Sequence, residues 1–353
     1  MGRLLVDGYI YSRSRFGGVV RYYDNLVTHL VDLGATVDLL IEKPLPDHNS
    51  LRALHNCGVE FVSDIEHNYD AFLASYYSVA SCIKPRVLTV HDLIDELLPE
   101  QMPASARWTD WEYGLSKRTA ISAADRIIAV SHTTKSDLVR IYGVPPPSVI
   151  TIYHGIERTF LHASDVDKDY HRAEVSRFGL PSLFVLYVGG RDGYKNFAKL
   201  LTAFGIADLP RSFALVAVGS QKEFSAEEQK IISRDRLAGR VLLMGFVTDT
   251  VLASLYSCTS LVVMPSLYEG FGLPLIEALS CGARVACSRA PSFVEIGGGF
   301  PFLFNADNEE AIAKVISQAL SSNEPERWLH AKSYARQFTW PRAARCVKTV
   351  LGI

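Results

Sequence analysis

Leu261-Val-Val-Met-Pro-Ser-Leu-Tyr-Glu269-Gly270-Phe271-Gly272-Leu273-Pro274-Leu-Ile-Glu277-Ala-Leu279 is the stretch that decides the fold. Its apolar opening reads as a parallel strand buried on both faces. The strand runs into Glu269 and a Gly-Phe-Gly turn. Pro274, suited to a first helical position, then opens a helix whose early turns carry Glu277. One carboxylate therefore sits on the loop at the strand's C-terminal edge and the other inside the helix. In an open α/β sheet that edge is where ligands bind. Glycines there let backbone N–H groups approach a ligand closely, and a helix N-terminus favours an anion. Carboxylates on either side accept hydrogen bonds from sugar hydroxyls. The pattern describes a pocket for a ligand that is both sugar-like and phosphorylated.

The rest of the chain repeats the same grammar. Strand-like runs alternate with longer helical stretches: Arg3–Asp7, Val37–Ile41, Ala71–Ala74, Val87–Val90, Ile127–Val130 and Val149–Ile152 in the first half. Phe184–Val188, Phe213–Val218, Val241–Met244, Leu261–Met264 and Arg284–Cys287 follow in the second. Such alternation argues for βα units and parallel sheets. With 353 residues the chain exceeds the size at which single cores stop growing, about 250–300 residues, so two domains are expected. Gly155–Ser182, charged and without a long apolar run, reads as the crossing between them.

Apolar content of 48% and charged content of 21% are those of an ordinary globular protein. A net charge of −2 provides no field for nucleic acid. Cys57, Cys82, Cys258, Cys281, Cys287 and Cys346 show no Cys-x2-Cys pairing, so reduced core thiols in a cytoplasmic protein are expected. No apolar run approaches the ~18 residues of a membrane span, and the N-terminus lacks the basic start and apolar h-region of a secretory signal. Near the end, Arg327, Lys332, Arg336, Arg342, Arg345 and Lys348 face one acid, Glu326. A solvated helix face and attraction to an anionic membrane surface, at about 1 kcal/mol per basic residue, are both open readings.

Val188-Gly-Gly190-Arg191-Asp-Gly-Tyr-Lys195-Asn-Phe follows the first strand of the second half and opens a helix. Two cations on a Gly-rich turn at a helix N-terminus suit a diphosphate. Gly219, and the run Gly245-Phe246-Val247, end strands expected on the same edge. Gly17-Gly18 opens the first helix in the same manner, and His91-Asp92 ends a buried strand. Ser131 and Thr133 read as helix caps. Trp108 and Trp111 lie in a long irregular stretch that either meets an acceptor or lipid or packs partly buried. Asp165-x-Asp167 spells a metal motif of another fold but follows no strand, so no metal is expected.

Glu269-Gly-Phe-Gly-Leu-Pro…Glu277 resembles the signature of the family-4 retaining glycosyltransferases of GT-B fold. The resemblance implies two doubly wound Rossmann-like domains facing each other across a cleft. An acceptor-side domain would span 1–160 plus a returning helix at about 337–353, and a nucleotide-sugar domain 161–336. It implies a donor diphosphate neutralised by Arg191 and Lys195, although the common spacing between these cations is one residue longer. The base would lie near Gly245, Phe246 and Val247, and Glu277 would accept the ribose hydroxyls. Glu269 with the N–H groups of Gly270, Phe271, Gly272 and Leu273 would hold the sugar. Gly17 and Gly18 would face the diphosphate, Gly190 and Gly219 would line the donor site, and His91 would orient the sugar.

The implied activity is retaining, cofactor-free and metal-independent hexosyl transfer from a nucleotide-diphospho-sugar to a glycan acceptor. GDP-mannose is the first donor and a UDP- or dTDP-sugar the second. The setting is bacterial surface polysaccharide or O-antigen synthesis at the cytoplasmic face of the membrane. Another GT-B enzyme, such as an epimerase or phosphorylase, and a non-catalytic GT-B scaffold are the rivals.

Overall fold

The computed structural model describes residues 2–13, 17–41, 49–65, 68–75, 82–102, 117–191, 193–219 and 221–353. Phe16, Trp108, Trp111 and Ser220 lie outside them. The described chain forms two units. The first comprises 2–93, 117–155 and Phe338–Ile353; the second comprises 94–102 and Ile156–Gln337. The boundary thus falls after Gly155, and 94–102, expected with the first domain, packs with the second.

In the first unit the strands are β1 (Arg3–Asp7), β2 (Thr36–Leu40), β3 (Glu60–Val62), β4 (Ala71–Ala74), β5 (Arg86–Val90), β6 (Arg126–Ala129) and β7 (Val149–Thr151). They pair in parallel in the order β3-β2-β1-β4-β5-β6-β7. Chain direction across the sheet reverses between β1 and β4, which opens a crevice at their C-terminal ends. β4 is buried along its whole length, as a strand covered by helices on both faces must be.

The second unit holds β8 (Leu183–Val188), β9 (Phe213–Val218), β10 (Val241–Gly245), β11 (Leu261–Met264), β12 (Val285–Ser288) and β13 (Phe302–Phe304). Their order is β10-β9-β8-β11-β12-β13, all parallel. Here the switch point lies between β8 and β11, where the two loops with the most informative sequences emerge. β3 and β13 escaped the sequence reading because three residues at a sheet edge carry too little pattern to register.

The final helix, Trp340–Leu351, packs against the first unit's long helix, Gly18–Asp32. Its Trp340, Ala344 and Val347 enter the core formed by Leu26, Leu30 and Val37. Gly155 makes this docking possible: an added Cβ would lie 2.1 Å from the Trp340 backbone nitrogen. At the helix start, His154 stacks on the Trp340 ring, and Tyr22 meets both His154 and His91.

The crossing region contains two short helices, Arg158–Leu161 and Lys168–Ser176. Asp167 caps the second by accepting from the Asp169 amide, and Asp165 accepts from Arg336. Both carboxylates of the Asp-x-Asp sequence are thereby engaged locally. Cys281 and Cys287 are buried, but Cys57, Cys82 and Cys346 are exposed, which corrects the expectation of core thiols. Cys57 follows a helix end and Cys346 lies on the outer face of the last helix, positions that its neighbours' apolar character did not reveal.

Candidate active site

In the second unit the loops after β8 and β11 emerge side by side at the switch point. After β8, Gly189 adopts φ 144° and Gly193 φ 49°, and Asn196 precedes the helix Phe197–Ile206. After β11, Gly272 takes φ 97° and caps the helix Leu273–Ser280, with Pro274 in its first turn. Gly272 also lies against Phe293, whose ring would be 2.7 Å from an added Cβ. The glycines of the signature therefore serve both backbone conformation and close packing.

Lys195 and Glu269 come together from these two loops, Nζ to Oε1 at 2.6 Å, both half-buried. Burial by itself lowers the lysine pKa. The Glu269 carboxylate, with Tyr194 and Tyr187, outweighs that effect and holds the ammonium above its ordinary range. The Tyr194 ring lies under the same ammonium, 5.0 Å from it. Main chain joins the loops as well: the Leu267 amide donates to the Tyr194 carbonyl at 2.8 Å.

Arg191 does not converge with Lys195, which corrects the expected pairing of these cations on one diphosphate. Its guanidinium turns inward, only 5% exposed, onto Glu228 at 2.9 Å. It also donates to the carbonyls of Gln221 and Glu223. Glu228 is a residue the sequence reading missed. The signal was present as Ser225-x-x-Glu228, a capping box that the structure forms in full.

Gly189, Gly219 and Gly245 end β8, β9 and β10 in a row. The Gly189 amide donates to Val218 and the Gly219 amide to Gly245. A Cβ on Gly219 would lie 2.2 Å from the Gly189 carbonyl oxygen, whereas Gly190 faces open space. Phe246, expected near a base, is 57% exposed, with Val247 beside it. Glu277 is buried and accepts from the Tyr256 hydroxyl at 3.2 Å. Tyr256, a second missed residue, sits on the helix Asp249–Cys258 and gave no local signal.

In the first unit Gly17, at φ 138°, caps the helix Gly18–Asp32, and both glycines are exposed. Tyr22 of that helix packs edge-on against His91, so the first βα loop and the His-Asp loop share one end of the sheet. His91 keeps some surface, but its Nε2 is sealed and has no hydrogen-bond partner among the described residues. Burial pushes its pKa down to about 3, and burial followed by the nearby His91 lowers that of His154. Both rings are neutral at pH 7. Asp7, at the end of β1, accepts from the Tyr9 amide and from Ser75, bracing the β1–β4 switch point.

Ser131 caps the helix His132–Tyr142 through the Thr134 amide, while Thr133 lies inside it. The basic tail is divided: Arg327 binds Glu324 and Arg336 binds Asp165 in the second unit, and Lys348 donates to the Leu33 carbonyl in the first. Among the described residues no helix is long and apolar enough to cross a membrane. No group of three His, Cys, Asp or Glu side chains among them is placed to hold a metal ion.

Two parallel sheets, each with a switch point at its C-terminal edge, are the two Rossmann-like units of the GT-B fold. The chain belongs to family 4: the profile "Glycosyltransferase Family 4" matches 16–160 and "Glycosyl transferases group 1" matches 173–338, most of the chain between them. It is 28% identical over 268 residues to the Escherichia coli serotype-specific mannosyltransferase WbdA. That match covers 73% of this chain and 32% of WbdA, so the chain corresponds to about a third of that protein. It is 26% identical to the E. coli O-antigen chain mannosyltransferase B, over 72% of this chain and 66% of that one. The crystal structure of Anabaena HepE with UDP and glucose matches over 100% of both chains, with TM-score 0.76 and 19% identity. At that identity it shows the fold alone.

Proposed function

We propose that the protein transfers a hexose, with retention of configuration, from a nucleotide-diphospho-sugar to a glycan hydroxyl in bacterial surface polysaccharide synthesis. The observation that carries this reading is the Lys195–Glu269 pair at the β8–β11 switch point. A charged lysine beside a helix N-terminus stabilises negative charge that develops on a departing diphosphate. Glu269 and the N–H groups of Gly270 to Leu273 hold the sugar hydroxyls, while Glu277 takes the ribose. Phe246 and its neighbours meet the base.

The reading assigns no direct phosphate contact to Arg191, which shapes the turn from within. The acceptor hydroxyl attacks from the face that the leaving group vacates and passes its proton to a phosphate oxygen. No metal is needed for this assignment, because Lys195 and the helix N-terminus supply the positive charge. GDP-mannose is the favoured donor on the strength of the mannosyltransferase relatives, with UDP- and dTDP-sugars next. Cytoplasmic catalysis on a lipid-linked glycan fits the reading. Membrane attraction rests on Lys332, Arg342 and Arg345, since Arg327, Arg336 and Lys348 have partners within the chain.

Thermal stability against GDP-, UDP-, dTDP- and ADP-sugars, with and without EDTA, tests the reading. A donor at a hundred times its dissociation constant stabilises by about 2.7 kcal/mol. An EDTA-insensitive shift from one nucleotide series, followed by a product of retained anomeric configuration, is expected. An inverted product overturns the mechanism, and no shift from any donor favours the scaffold.

A further inference from the structure

Asn196 closes the turn that carries Lys195, and no role assigned above uses it. Its backbone is left-handed, φ 59° and ψ 30°, a conformation that asparagine tolerates better than most residues. The side chain is buried. Its Nδ2 donates two hydrogen bonds, to the Pro265 carbonyl at 3.1 Å and to the Ala306 carbonyl at 2.8 Å. Pro265 begins the signature loop after β11, and Ala306 follows β13. The Asn196 amide donates to Gly193, and its carbonyl accepts from Leu200 as the helix opens.

One side chain thus fastens the glycine-rich turn to two loops that lie 69 and 110 residues away in sequence. With the Tyr194–Leu267 main-chain bond, it holds the backbone on both sides of Lys195. Glycine would keep the backbone but lose both bonds. Aspartate would keep the backbone and set a carboxylate against two carbonyl oxygens. Only asparagine joins a left-handed backbone to a short side chain with two donors.

We infer that Asn196 is a positioning residue for Lys195, holding the ammonium where it meets the donor diphosphate. The inference rests on the reading of Lys195 as the diphosphate contact, and the two are separable by experiment. GDP, UDP, dTDP and ADP are titrated against the wild-type protein, and the tightest binder is carried forward with its monophosphate. Lys195→Ala should weaken the diphosphate and spare the monophosphate; equal effects on both would overturn the Lys195 reading and this inference with it. No binding of any of the four would do the same.

Given that selectivity, Asn196→Gly should weaken the diphosphate about tenfold and spare the monophosphate. In a Lys195→Ala background the same change should cost nothing further. A tenfold loss that persists in that background, or one shared by the monophosphate, would overturn the positioning role while leaving Lys195 its own. Asn196→Asp should behave like Asn196→Gly or worse. Loss of cooperative unfolding in both variants would make Asn196 a folding residue and overturn the inference.

Discussion

The Lys195 ammonium lies 2.6 Å from Glu269 Oε1, so the two charges of the site neutralise each other across loops 74 residues apart. On the proposed reading, a phosphate that enters this pair would meet a cation held charged by its neighbours. A preorganised charge reorganises little during reaction, which is where such groups gain their effect.

Lys195→Ala is expected to lower kcat by about 10²–10³-fold, the usual consequence of removing one donor to developing negative charge. Glu269→Gln removes the main influence that raises the lysine pKa and leaves burial to lower it. The alkaline limb of the kcat/KM profile should therefore move to lower pH in Glu269→Gln. Steady-state kinetics across the alkaline range reads both effects, and an unmoved limb would show that Lys195 does not set it.

Breaking the buried Arg191–Glu228 pair should unfold rather than merely inactivate. Arg191→Ala leaves Glu228 buried without its partner, a loss of about 3–5 kcal/mol. Replacing both, Arg191→Met with Glu228→Leu, should recover most of that loss. The remainder is about 1 kcal/mol for the missing capping box. Urea denaturation of the wild-type protein and the two variants measures these differences.

Gly155→Ala would drive a methyl group into the backbone of Thr339 and Trp340. The returning helix should dock less well, at a cost of about 3 kcal/mol. A lowered melting temperature together with new protease cleavage close to Phe338 is the expected pair of observations. Cleavage elsewhere would place the damage at another site.

His91 and His154 are neutral in the folded first unit, with pKa values depressed below the ordinary 6.5. The unfolded chain therefore binds protons first as pH falls. Stability from these rings is complete above about pH 6.5 and declines as pH falls below it, for His91 down to about pH 3, at about 1.4 kcal/mol per pH unit for each ring that the unfolded chain alone protonates. His154→Phe keeps a ring on Trp340 and should flatten the acid side of the stability curve. An unchanged slope would assign the acid sensitivity to other groups.

The sequence by itself determined the alternation of strands and helices along the chain, the α/β class and the two glycine-rich loops that carry Lys195 and Glu269. Apolar runs such as Leu261–Met264 and glycine-rich turns such as Gly189–Lys195 are local patterns, read over a few residues. Tertiary structure alone decided that Arg191 points inward to Glu228, that Asn196 ties the lysine turn to Pro265 and Ala306, and that Tyr256 reaches Glu277. It also decided that 94–102 packs with the second unit. Those pairings join residues far apart in the chain. Which face each side chain presents depends on sheet order and register, which only the assembled core fixes.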